Sequence, residues 1–145
     1  MEREVPKYNH CFVCGPHNPS GLKLKFYTDG RTTKTKFFPK KQHEGYKGIL
    51  HGGIMASILD EVMIKAILAQ GILTVTAWME VRFKVPAAID AELIFEAEIT
   101  HSKGKVVLAS GRALDAHGII CAEANGKYLT VSREFESRLR ESLED

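Results

Sequence analysis

The stretch from Ile49 to Gln70, ILHGGIMASILDEVMIKAILAQ, limits what this chain can fold into more than any other. From Gly53 onward its spacing predicts a helix of about five turns. Ile54, Met55, Ile58, Leu59, Val62, Met63, Ile64, Ile67 and Leu68 leave it almost no polar face. A helix that is apolar all round is either a membrane span or the buried centre of a domain. A span needs ~20 mainly apolar residues. This segment is shorter, and Asp60, Glu61 and Lys65 interrupt it. It reads as a core helix, and the rest of the chain must supply its cover.

Two features do not belong to a plain core helix. The first is His51-Gly52-Gly53 at its start. Paired glycines remove side chains where free backbone N–H groups leave the first turn, which makes a compact site for a negative oxygen. The same tripeptide also suits a tight turn into a helix. The second is Asp60, since a carboxylate between Leu59 and Val62 is costly unless paired, hydrogen-bonded or placed in a cleft. In a cleft it is a candidate general base. Glu61 fits the alternative of a rim carboxylate paired with Lys65 four residues on. Asp60 follows Gly53 on roughly the same helix face, ~10 Å further along the axis. A general base must come within ~3 Å of its proton or act through one water. A carbonyl held at the helix start is therefore out of reach of Asp60 in the same chain. If both features are catalytic, an antiparallel second copy must bring in its own Asp60.

At 145 residues the chain is long enough to bury a real core, and it reads as one domain over 1–145. Within it, 1–21 is an N-terminal turn segment and 132–145 a charged C-terminal helix or tail. A net charge of +2 gives no reason to expect nucleic acid as a partner. No leader pattern opens the chain, and three cysteines do not make a disulfide framework, so a cytoplasmic setting away from membranes is expected.

Residues 1–10 are polar and expected to be mobile. Cys11 and Cys14 have C-x2-C spacing with His10 and His17 beside them. That spacing suits zinc, but no second cysteine pair accompanies it, and adjacent His10 and Cys11 do not easily share one ion. The favoured reading is a turn fixed by Gly15, Pro16, Asn18, Pro19 and Gly21, with packed cysteines and no metal. Leu22–Tyr27 alternates apolar and basic residues as a half-buried strand would. Thr28-Asp29-Gly30 turns it into a second strand over 31–37, and a loop over 38–50 leads to His51. After the helix, Gly71 is a stop signal. Strands are predicted over 73–85, 91–101, 106–114 and 119–131, and Ser132 caps the tail helix. Short connections favour a meander of the last four strands. The fold class is α+β, an antiparallel sheet curled around one long helix.

With these elements placed, the sequence resembles the hotdog-fold superfamily and, within it, the PaaI-type acyl-CoA thioesterases. CFVCGPHNPSGLKLKF, GYKGILHGGIMASILDEVM and VTAWMEVRFKVPA carry the likeness. It implies hydrolysis of an acyl-CoA to free acid and CoA, with CoA thioester as substrate and no cofactor. It implies that the N–H after the histidine, in His51-Gly52-Gly53, polarises the thioester carbonyl, and that Asp60 from the facing subunit attacks it or activates a water. Thr76 matches a residue that orients that water. Gly45 stands where many relatives carry Asn or Gln. Arg82, Lys84, Lys103 and Lys105 are candidates for the CoA phosphates. A homodimer, with a dimer of dimers beyond it, is the implied assembly. The alternative is a non-catalytic acyl-CoA-binding protein that senses rather than cleaves.

Overall fold

The structure is a computed structural model, and it describes residues 1–143. The end of the expected tail, residues 144 and 145, lies outside the described residues. The apolar helix is α1, Gly52–Leu68. Ile58, Leu59, Val62, Met63 and Ile67 on it are fully buried. At ~1.5–3 kcal/mol for each such side chain taken out of water, this one helix supplies much of the drive to fold.

The cover is a seven-stranded antiparallel sheet: β1 (Arg3–Glu4), β2 (Tyr27–Thr28), β3 (Thr33–Phe37), β4 (Thr74–Phe83), β5 (Leu93–Lys103), β6 (Val106–Leu114) and β7 (Ile120–Thr130). Helix α1 packs against β3, β4, β5, β6 and β7. It can approach the sheet closely because the inward positions of the middle strands are small: Ala97, Ala109, Gly111, Ala113, Ala122 and Ala124 are all buried. A Cβ at Gly111 would lie 3.3 Å from Met63 Cγ, so the helix rests directly on that strand. A second helix, α2 (Arg133–Glu141), starts at Ser132, whose hydroxyl accepts the Phe135 N–H. Leu139 and Leu143 pack on the core while Phe135 is exposed, so the tail helix is docked along one stripe only.

The strand order is β1-β2-β3-β5-β6-β7-β4. Only β5, β6 and β7 form a meander, and β4 pairs with β7 rather than with β5. The reason is the segment 84–92. It is not a hairpin turn but a return path bonded to the loop before α1: Leu50 N–H donates to Ala87 O, Ile89 N–H to Gly48 O and Asp90 N–H to Pro39 O. It carries the chain to β3, beside which β5 pairs. Strand β4 is thereby left as a ten-residue sheet edge with Trp78 and Phe83 exposed.

Three further expectations are corrected. Residues 22–26 form no strand: Leu24 and Phe26 are buried and Lys23 and Lys25 exposed as predicted, but Lys23 has φ 55°, which breaks an extended run. The N-terminal ten residues are not loose. Val5 is buried, its N–H donates to Phe26 O, and Arg3–Glu4 pairs with β2. The Glu61–Lys65 pair forms, with Nζ 3.6 Å from Oε2, but not at a rim. Lys65 is fully buried, donates to Pro6 O and lies 4.8 Å from the centre of the Tyr8 ring. The N-terminal segment folds over the helix and shuts this pair in.

Candidate active site

His51 is the N-cap of α1, with φ −59° and ψ 130°. Its Nδ1 accepts the Gly53 N–H at 2.8 Å, so the remaining ring proton sits on Nε2. This bond uses up one of the free amides at the helix start. Ile54 and Met55 N–H both donate to His51 O. That leaves the Gly52 N–H, which has no acceptor among the described residues. An unspent amide at the positive end of a helix is the group that holds a developing oxyanion. The two glycines differ in how much room they have. A Cβ at Gly53 would lie 3.0 Å from His51 Nδ1 and Cε1, whereas one at Gly52 would meet the exposed Phe83 ring at 3.5 Å.

The loop that presents His51 closes tightly on it. His51 N–H donates to His43 O, Gly45 N–H to Ile49 O, and Gly48 N–H to Glu44 Oε2 at 2.7 Å. A Cβ at Gly45 would lie 3.1 Å from His51 Cα. A side chain at this position would have to shift its contact with the histidine by a few tenths of an ångström.

Asp60 lies eight residues beyond Gly52 on α1, ~12 Å along the axis. It is half-buried, and its carboxylate is clamped on one side. Oδ1 accepts the Thr76 hydroxyl at 2.9 Å and the Tyr128 phenol at 2.9 Å. Oδ2 takes no hydrogen bond from the described residues. The two donors meet because they are register partners in the β4–β7 ladder, next to a bulge. Thr76 pairs with Tyr128 and Trp78 with Lys127, so Ala77 is the extra residue. Thr76, singled out as a residue that orients a water, donates its hydroxyl to the Asp60 carboxylate. Tyr128 was missed by the sequence reading. Burial first, and the Asp60 charge second, push its phenol far above the ordinary tyrosine range, so it is a permanent donor. The available signal was the run Ala122, Ala124, Gly126, Tyr128 on the inward face of β7, one large residue after small ones. Gly126 clears its ring: a Cβ there would be 2.5 Å from Tyr128 Cε2.

The four basic candidates divide into two groups. Arg82 and Lys84 lie at the Phe83 end of β4, near Gly52, and pair with Glu80 (3.4 Å) and Glu123 (3.1 Å). Lys103 and Lys105 lie at the other end. Lys103 pairs with Val106, Val106 with Leu129 and Leu129 with Val75, next to Thr76. Lys103 is thus level with Val75 but three strands across the sheet from it, and the two pairs of cations lie apart within one chain.

Residues 47–122 match the family model described as the thioesterase superfamily, over half of the chain and including His51, Asp60 and Thr76. The chain belongs to the thioesterase superfamily, and its fold is the hotdog fold. In sequence it is similar to an uncharacterized protein of Schizosaccharomyces pombe, 26% identical over 72% of this chain and 63% of that protein. In structure it is similar to the thioesterase superfamily protein RHA08564, with TM-score 0.78, 24% identity, and 83% of this chain and 63% of that chain covered. The chain thus spans less than two thirds of either of these relatives. It is also similar to the PaaI protein of the Escherichia coli phenylacetic acid degradation operon, with TM-score 0.71, 18% identity, and 77% and 81% covered. A hypothetical thioesterase from Streptococcus pneumoniae TIGR4, solved with coenzyme A, matches with TM-score 0.68, 14% identity, and 71% and 80% covered.

Proposed function

We propose that this chain hydrolyses an acyl-CoA thioester, in a site built from two copies of itself. The observation that carries the proposal is the state of two groups. Among the described residues Gly52 N–H is unspent at the start of α1, and Asp60 Oδ2 takes no hydrogen bond while Oδ1 is clamped. The amide donates to the thioester oxygen as it becomes an oxyanion, which by analogy with other oxyanion holes is worth ~3 kcal/mol. As a base, Asp60 Oδ2 takes a proton from water and the water oxygen bonds the carbonyl carbon. The C–S bond then breaks and that proton passes to the sulfur, giving the acid and CoA thiol. As a nucleophile, Asp60 forms a mixed anhydride as CoA leaves. Water then cleaves the anhydride, releasing the acid and supplying the proton for the CoA sulfur. Such a carboxylate contributes a factor of ~10² to 10⁴ as a general base. Since the two groups lie ~12 Å apart along one helix, the amide of one protomer works with Asp60 of the other.

The free edge of β4 supports this assembly. A long strand with one edge unpaired among the described residues, and with Trp78 and Phe83 exposed, is a surface that proteins cover. Two β4 edges paired antiparallel set the Phe83 end of one beside the Thr76 end of the other. Gly52, Arg82 and Lys84 then face the partner's Asp60, Lys103 and Lys105, and four cations border one cleft for the CoA phosphates. Dimers of this kind can pair again. The S. pneumoniae structure with coenzyme A supports the ligand class. Three free cysteines support a cytoplasmic setting.

Thiol release from a panel of aromatic, short-chain and long-chain acyl-CoAs tests the proposal. Wild type should cleave some members, and Asp60→Asn and Asp60→Ala should lose that activity by orders of magnitude. Tight binding without thiol release would make the protein an acyl-CoA sensor, a reading favoured by Gly45, which offers no side chain to hold a water.

A further inference from the structure

Beneath the N-terminal segment lies a cluster that the thioesterase chemistry does not use. One ligand atom each from Cys11, Cys14 and Glu61 fall within 4.8 Å of one another. The backbone around them is shaped for sulfur. Val13 and Cys14 N–H both point at Cys11 Sγ, at 3.3 and 3.5 Å, and Tyr8 N–H points at Cys14 Sγ at 3.4 Å. Amides aimed at both sulfurs favour the thiolate that a metal needs. Gly15 makes the loop feasible, since a Cβ there would be 2.4 Å from Cys11 N. Glu61 Oε1 lies 3.5 Å from Cys11 Sγ. Tetrahedral zinc with ordinary Zn–S and Zn–O bonds would set those two atoms about 3.6 Å apart.

A second observation points the same way. Glu61 is 9% exposed, and its Oε2 is buried without a hydrogen bond; Lys65 Nζ, at 3.6 Å, is its nearest charge. A buried carboxylate oxygen left in that state is costly. A cavity of about 620 Å³ opens beside it, lined by Tyr8, His10, Cys11, Glu61 and Thr74 among others. Thr74 Oγ1, on the same cavity, is also buried without a partner. Two thiolates, one carboxylate and the Lys65 ammonium carry a net charge of −2, which a divalent cation neutralises. Thiolate ligands select a soft, four-coordinate ion over magnesium or calcium.

We propose that Cys11, Cys14 and Glu61 bind one zinc ion, with a water from the cavity in the fourth position. The ion pins the N-terminal segment to α1 at the residue after Asp60. Its role is structural, and it stands or falls independently of the hydrolase reading. The sequence pattern alone argued against a metal because C-x2-C lacked a second cysteine pair. The third ligand instead comes from the core helix, fifty residues away.

The test uses the full chain, purified under reducing conditions from zinc-supplemented cells. Elemental analysis should find one zinc per chain in wild type, and background levels in Cys11→Ser, Cys14→Ser and Glu61→Gln. Because a serine variant could misfold, wild type is also stripped with a chelator and titrated with cobalt(II) alone. Intense thiolate-to-cobalt charge-transfer absorption, saturating at one equivalent, is expected, along with a melting temperature that falls on stripping and returns on reloading. Folded wild type that carries no zinc and gives no cobalt charge-transfer band would overturn the proposal. So would zinc retained in Cys11→Ser, or Cys11 and Cys14 isolated as a disulfide under these reducing conditions.

Discussion

Replacing Gly52 with proline removes a single N–H and little else. Gly52 is the first residue of α1, the one helical position where proline is well tolerated because its amide has no acceptor within the helix. The residue before a proline must be extended, and His51, at φ −59° and ψ 130°, already is. A Cβ at position 52 meets Phe83 at 3.5 Å, an ordinary contact. The fold should therefore survive, with thermal stability unchanged or raised by up to ~1 kcal/mol through a stiffer unfolded chain. Catalysis should not survive intact. Loss of one oxyanion donor costs ~2.7–4 kcal/mol, about 10²- to 10³-fold in kcat, with KM little changed because the bond strengthens only as charge develops. Steady-state thiol release on the best acyl-CoA, with a thermal melt and a mass measurement on the same sample, gives all three quantities. A folded, dimeric Gly52→Pro protein with kcat within about three-fold of wild type would refute the assignment of this amide.

Other consequences follow from the same geometry. Tyr128→Phe keeps the ring but removes one of two donors to Asp60 Oδ1; a hydrogen bond to a charged acceptor is worth ~1.5–3 kcal/mol, so kcat should drop about 10- to 150-fold with KM nearly unchanged. Tyr128 also links stability to alkaline pH. Its folded pKa is raised above the ordinary value of 10.0, so the folded state keeps a proton that the unfolded state releases. Its stabilisation is present below pH ~10 and is lost above it at ~1.4 kcal/mol per pH unit. Urea melts of wild type should show that loss, and Tyr128→Phe should lack this part of it. Gly53→Ala puts a methyl 3.0 Å from the His51 ring, so kcat/KM should fall about ten-fold or more while the melting temperature stays near wild type. Trp78→Glu on the exposed β4 edge should weaken self-association by ~10²-fold or more, read by analytical ultracentrifugation, and activity should fall in step.

Much of this molecule was legible in the order of its residues. The apolar helix and its start at His51-Gly52-Gly53 follow from local pattern, because helix periodicity and N-terminal geometry are local, while Thr76 is singled out only through the family resemblance. What escaped was set by contacts distant in sequence. Tyr128 reaches Asp60 across 68 residues, from a strand whose pairing beside β4 no periodicity announces. Lys65 looked like a surface residue because its cover, Pro6 and Tyr8, comes from a segment too polar to suggest packing. Strand β4 has the composition of an ordinary strand, and only the return path over 84–92 makes it an edge. The alternation at Leu22–Tyr27 was read correctly as burial but wrongly as a strand, since Lys23 turns left-handed within it.

The measurement that bears most directly on a site shared between two chains is complementation. Asp60→Asn and Gly52→Pro homodimers, each defective in one half of every site, are mixed under conditions that exchange subunits, and exchange is confirmed by mass. Random mixing makes half of the dimers mixed, and each mixed dimer carries one intact site, so activity should return to about a quarter of wild type. Full exchange with no recovery of activity, or a wild-type monomer as active as the dimer, would contradict a site that borrows its carboxylate from the partner.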